Sequence, residues 1–142
     1  MNVTWDIQRL FFDRKAVTGA VDRATRRVLS RFGAFVRTTA KHSIRKRKAI
    51  SQPGNPPSSH VGHLRRLIFF GYEPAARSVV IGPTPFRGPA EAPPLLEYGG
   101  AARRRDRKGK VVRAVYRPRP FMGPAFEAER PKLPTMWANS VK

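Results

Sequence analysis

The chain contains no cysteine, only nine acidic residues and three histidines, and no long apolar run. Without cysteine it has neither a disulfide framework nor a thiolate metal site, which fits a reducing compartment. The acids are scattered and none lies between Asp22 and Glu73, so the paired carboxylates of glycosidases and the acidic clusters of two-metal nucleases are not indicated. His60 and His63 stand three positions apart with no third ligand type near in sequence. His42 and Ser43 are neighbours on a helical stretch, where adjacent side chains point apart, so they make a poor base and nucleophile pair. The phosphate-binding patterns GxGxxG and Walker A are also missing. These absences lead us to expect no catalytic centre, no metal and no cofactor. No window approaches the roughly eighteen apolar residues of a membrane span, and the N-terminal "MNVTWDIQRLFFDRK" lacks the apolar core of a signal peptide. The expectation is a chain made in the cytoplasm with no membrane partner.

What the chain does have is positive charge. Lysine and arginine number 29 against nine acids, a formal net charge of +20. Charge of that size on a small chain implies strong self-repulsion unless salt or an anionic partner screens it. Two blocks carry half of it. "KHSIRKRK" supplies Lys41, Arg45, Lys46, Arg47 and Lys48, and "RRRDRKGK" supplies Arg103, Arg104, Arg105, Arg107, Lys108 and Lys110 around one acid, Asp106. No element shaped to place side chains on base edges is evident, so the expected mode is sequence-independent attraction to a phosphate backbone. A solvated basic surface, or one that meets an acidic protein, explains the same charge.

Apolar spacing gives the coarse fold. From about Val17 to Lys46, Val17, Val21, Ala24, Val28, Phe32, Phe35 and Val36 recur at steps of three and four, the stripe of one long amphipathic helix capped by Thr18. Gly33 inside that helix costs about 1 kcal/mol and points to a close crossing with another element. Ile68 to Tyr72 and Ser78 to Ile81 read as a hairpin around Glu73-Pro74, and "VVRAVYRP" as a third strand. Residues 51–59, 83–94 and 101–110 read as flexible or extended connections, the last strongly basic. A short C-terminal helix follows, with Pro124 in its first turn, Phe126 on its buried side, and Pro131 and Pro134 breaking or kinking it. The expectation is a single α+β domain over residues 1–142: a long helix packed on a small antiparallel sheet.

Four pieces in fixed order carry a resemblance: "RVLSRFGAFVRTTAKHSIR", "PPSSHVGHLRRLIFF", "SVVIGP" followed by "PLLEYGG", and "RPRPFMGPAFEAER". Together they resemble the small tail-completion, or head–tail joining, proteins of long-tailed bacteriophages, over roughly residues 17–130. The most specific piece is Arg119-Pro120-Phe121-Met122-Gly123-Pro124-Ala125-Phe126-Glu127, and Glu97-Tyr98-Gly99 matches that family's Glu-aromatic-Gly turn. The basic stretch 101–110 and the prolines at 131 and 134 depart from its pattern. The resemblance implies a non-enzymatic virion protein, assembled in the host cytoplasm. It would form a ring, expected to be a homohexamer, in the neck between the head-closure (stopper) protein and the tail terminator or tail tube, completing the channel for genomic double-stranded DNA.

In such a ring each copy presents one surface to a different surface next door, and stiff apolar contacts limit the entropy lost on closure. Leu95, Leu96, Tyr98, Pro120, Phe121, Met122, Pro124 and Phe126 are the subunit-interface candidates, and filling the subunit's own core is the other use the same residues could have. The basic blocks would face DNA or dock on acidic neighbours. The rival reading is a free, sequence-independent nucleic-acid-binding protein of the nucleoid or ribosome-associated type, which explains the charge but not the neutral Pro-Phe ending.

Overall fold

A computed structural model describes residues 13–84 and 92–142. Helix α1 (Arg14–Ser43) is followed by β1 (Arg45–Lys46), β2 (Ser58–Ser59), α2 (His63–Arg66), β3 (Ile68–Glu73), β4 (Ser78–Pro83), α3 (Ala92–Tyr98), β5 (Gly100–Arg105), β6 (Val111–Tyr116), α4 (Met122–Glu129), a 3-10 turn (Arg130–Lys132) and α5 (Leu133–Trp137). The class is α+β, as the residue pattern implies. The strands, however, form three separate two-stranded pairs, parallel β1–β2 and the antiparallel hairpins β3–β4 and β5–β6, in place of one small sheet.

Helix α1 starts earlier and ends sooner than its apolar stripe suggests. Its cap is Asp13, whose Oδ1 accepts the Ala16 N–H at 2.9 Å, so Thr18 lies inside the helix. At the other end Ile44 is extended, and Arg45 and Lys46 leave the helix to pair with Ser58 and Ser59. The buried line runs at steps of four: Ala24, Val28, Phe32, Val36, Ala40 and Ile44. Val17, Val21 and Phe35, expected on the stripe, are exposed. For Phe35 the reason is visible, since Arg31 and Lys132 both lie over its ring, at 5.6 and 5.8 Å from the centroid.

The core forms where α1 meets the β3–β4 hairpin on one side and α4 on the other. Phe32, Val36, Ala40, Ile44, Leu64, Ile68, Phe121 and Ala125 fill it, with Val79, Ile81, Leu96, Met122, Leu133 and Met136 packed around them. Gly33 marks the crossing. A Cβ there would lie 2.8 Å from Val79 Cγ2 and 3.0 Å from Phe70 Cδ2, so only glycine lets the hairpin approach this closely.

The expected loops divide. Residues 51–59 are irregular but tied down: Ser51 and Ser59 are buried, the Gly54 N–H donates to Pro118 O at 2.9 Å, and Arg119 Nε donates to Ser51 O at 2.9 Å. Of 83–94, Pro83 ends β4, residues 92–94 open α3, and 85–91 lie outside the described residues. The 101–110 stretch is mostly strand, since Ala101 to Arg105 pair with Val115 to Val111. The ladder with β6 supplies the order that its own apolar content does not. Asp106 closes the turn by accepting the N–H groups of Lys108 and Lys110, each at 2.9 Å, with Gly109 at φ +78°.

Candidate nucleic-acid interface and assembly surfaces

The first basic block sits where α1 ends. Lys41 lies on its last turn and is half-buried, while Arg45, Lys46, Arg47 and Lys48 are exposed on the extended chain beyond it. Extended backbone sends successive side chains to opposite sides, and the block divides accordingly. Lys41 and Lys46 line a cleft of about 290 Å³ with Val61, Gly62, Arg65 and Arg66. Arg45 and Arg47 line another of about 410 Å³ with His42, Ser43, Asn55 and Pro56. Arg47 is further fixed by its Nε donating to Ser58 Oγ at 2.9 Å. Burial first, then the charges of Arg37 and Arg65, hold the Lys41 ammonium below the usual lysine value. Arg65 and Arg66 escape a search for charge runs because about twenty residues separate them from Lys41; the β1–β2 pairing brings them together.

The second block decorates the β5–β6 hairpin, whose main packing partner in the body is α3. Arg103, Arg104, Arg105, Arg107, Lys108 and Lys110 are all exposed. Arg103 stands directly opposite Arg113, which lies between exposed Val111 and Val115 on the same face, and alternation adds Arg105 to that face, opposite Val111. Like charges directly opposite destabilise an antiparallel pair, so this face lacks a counter-charge within its own ladder.

The apolar candidates separate into two groups. Phe121 is 1% exposed and is a centrepiece of the subunit's own core, which corrects its assignment as an interface anchor. Leu96 and Met122 pack against the same core, and Leu95 and Pro120 are half-buried. Tyr98, at 82% exposed, Pro124 and Phe126 remain on the surface. Phe126 meets Phe32 edge to face at 5.7 Å, which leaves its other side at the lip of an apolar groove floored by Phe32 and Val36 and walled by Val79, Ile81 and Met122. It was expected to be buried; α4 instead turns Ala125 inward, and Phe126 is 40% exposed.

Glu97 explains why the Glu-Tyr-Gly turn and the Pro-Phe segment belong together. Its Oε2 accepts the N–H groups of Phe121 and Met122 at 2.9 and 3.0 Å, and its Oε1 accepts that of Gly123 at 2.8 Å. One carboxylate from α3 thus satisfies three donors at the start of α4, a position where no local side chain caps the helix. Gly99, at φ +72°, then turns the chain from α3 into β5; a Cβ there would meet Tyr116 O and Pro118 Cδ, each at 2.9 Å.

A second carboxylate ties α4 to α1. Glu129 is buried, its Oε1 accepts the Thr39 hydroxyl at 2.6 Å, and its Oε2 takes a 2.6 Å ion pair from Lys132. The Lys132 and Thr39 hydrogen bonds hold its carboxyl below the usual range against the opposing effect of burial. Among the described residues, no group of three or more histidines and acids could hold a metal ion, and no helix is long and apolar enough to cross a membrane. No family model, curated protein or solved structure matches the chain.

Proposed function

We propose that the chain is a structural protein of a bacteriophage neck, six copies of which close into a ring between the head-closure protein and the tail terminator or tube. The observation that carries the assembly part is the β5–β6 hairpin. It is a two-stranded ribbon with exposed Val111 and Val115 on one face and exposed Tyr98 at its root. Such a ribbon is marginally stable alone and gains from a third strand or an apolar surface laid against it. The groove beside Phe126 is a surface of that kind on a different part of the same chain. One patch meeting another is the heterologous contact from which rings close. Genomic DNA then passes a wall whose arginines carry no counter-charge of their own, and no catalytic step is needed.

The test is particle size and shape. Full-length protein, measured by mass photometry and electron microscopy across a salt series and with its neck partners, is expected to form rings. Val111→Asp combined with Val115→Asp is expected to abolish them while leaving helicity intact. Intact rings in that variant, or virions whose head–tail junction lacks this chain, would refute the reading. A free nucleic-acid-binding protein is the second reading, favoured by the basic clefts at the end of α1, and it predicts tight, salt-sensitive binding by a monomer that never closes.

A further inference from the structure

Six cations line the two clefts that flank the end of α1: Lys41, Lys46, Arg65 and Arg66 on one side, Arg45 and Arg47 on the other. Neither lining includes a carboxylate, and the sequence offers none between Asp22 and Glu73. The negative end of the α1 dipole favours cations here, but it amounts to about half an elementary charge and cannot balance six. The fold nonetheless holds them together. Ile44 is fully buried beneath them, β1 is pinned to β2, and Ser59 Oγ accepts the Gly62 N–H at 3.0 Å where the chain turns into α2.

We propose that this end of α1 is a two-sided seat for the phosphodiester backbone of duplex DNA. The chemistry of the linings selects the ligand. Lysine and arginine are donors only, and phosphate oxygens are acceptors only, whereas an acidic peptide brings backbone N–H groups that would need acceptors. No phenylalanine, tyrosine or tryptophan lines either cleft, and His42 in the second is a single ring, so the row of stacking platforms that holds successive bases of a single strand is missing. Arginine and lysine on both sides of one short strand can take phosphates at two points of a continuous backbone without reading its sequence. The seat includes Arg65 and Arg66, which lie outside the two charge runs. It does not depend on ring formation.

The experiment uses the full chain and a fluorescent duplex of about two helical turns, with anisotropy measured over a salt series. Lys46→Gln, Arg65→Gln and Arg66→Gln together should lower the slope of log K against log salt by about 2 to 3. Arg14→Gln, Lys15→Gln and Arg23→Gln remove the same charge from exposed positions near the start of α1 and should change the slope by less than about 1. Arg45→Gln with Arg47→Gln tests the second cleft and keeps the proposal open to refutation if the first triple does not fold; its slope should fall by about 2. Equal slopes in cleft and control variants would overturn the seat, leaving only net charge. Tighter binding of a single strand of equal length, or of a polyglutamate peptide of equal charge, would overturn the duplex assignment. Absence of rings in the parent protein, with the slopes of the cleft variants lowered as expected, would count against the neck reading alone.

Discussion

Replacing Glu97 by alanine removes the acceptor for three backbone donors at once. Two of them, the N–H groups of Phe121 and Met122, are partly buried, and that of Gly123 is exposed. Losing a helix cap costs about 1 kcal/mol and a hydrogen bond to a charged group about 1.5 to 3, less where water can take over. Taking roughly 1 kcal/mol for each donor gives about 3 kcal/mol in all. At about 3 °C per kcal/mol for a chain of this size, the melting temperature should fall by roughly 9 °C. Glu97→Gln should cost less, about 1 to 2 kcal/mol, because its carbonyl can keep the Phe121 and Met122 contacts while its amide meets the Gly123 N–H donor to donor. The assay is thermal and urea unfolding of the dispersed monomer in moderate salt, followed by circular dichroism. A Glu97→Ala monomer that melts within about 2 °C of the parent would refute the capping argument. If that variant also failed to form rings, the carboxylate would have to serve a neighbouring copy instead.

Two further substitutions probe the packing around α1. Gly33→Ala gains about 1 kcal/mol of helix propensity but forces a methyl to within 2.8 Å of Val79 Cγ2, an overpacking worth about 1 to 3, so a net loss of about 1 kcal/mol is expected by urea unfolding. In a Val79→Ala background the same change should become less costly or stabilising, and additive effects would exclude the contact. Glu129 makes stability pH-dependent: its folded affinity for a proton is lowered, so its contribution is present above the ordinary glutamate range and is lost as pH falls through the lower folded value. Glu129→Gln should cost about 1 to 2 kcal/mol at neutral pH and flatten the acid limb of a stability–pH curve, and an unchanged limb would show that the Thr39 and Lys132 contacts are not what sets it.

The parts of the fold that were legible in sequence are those whose side-chain period is enforced by burial. The middle of α1 and the hairpin from Ile68 to Pro83 qualify, because one face of each meets the core, and the strand from Val111 alternates exposed and half-buried positions. β5 was missed because "AARRR" contains no apolar alternation; its partner's ladder sets its conformation, and the Asp106 to Gly109 turn was the available signal. Phe121 shows a different limit. A phenylalanine beside prolines suits an interface and a core equally well, and only its burial in the folded cluster that includes Ile68 and Phe32 decides. Glu97 is visible in the sequence as part of a turn, but its role needs the twenty-odd residues that hold β5–β6 to fold back before the carboxylate can reach α4. Arg65 and Arg66 joined the basic seat for the same reason, through pairing rather than proximity in the chain.

The two basic regions differ in a way that bears on the order of assembly. The seat at the end of α1 is built on buried Ile44 and a pinned strand, whereas the arginines of β5 ride on a ribbon that carries the exposed valines as well. Under the neck reading, apposing copies brings like charge together over distances comparable to the Debye length, about 8 to 10 Å at ordinary ionic strength, while the apolar contacts of the ribbon act only on touching. The repulsion is therefore met first and must be screened before the valines can gain anything. An anion bound between Arg103 and Arg113 would remove the like-charge penalty within the ribbon and between copies in one step. Ring closure should then be promoted by polyanion or by acidic neck partners far more than by raising protein concentration, and closure that is faster at low salt without any anion would contradict this ordering.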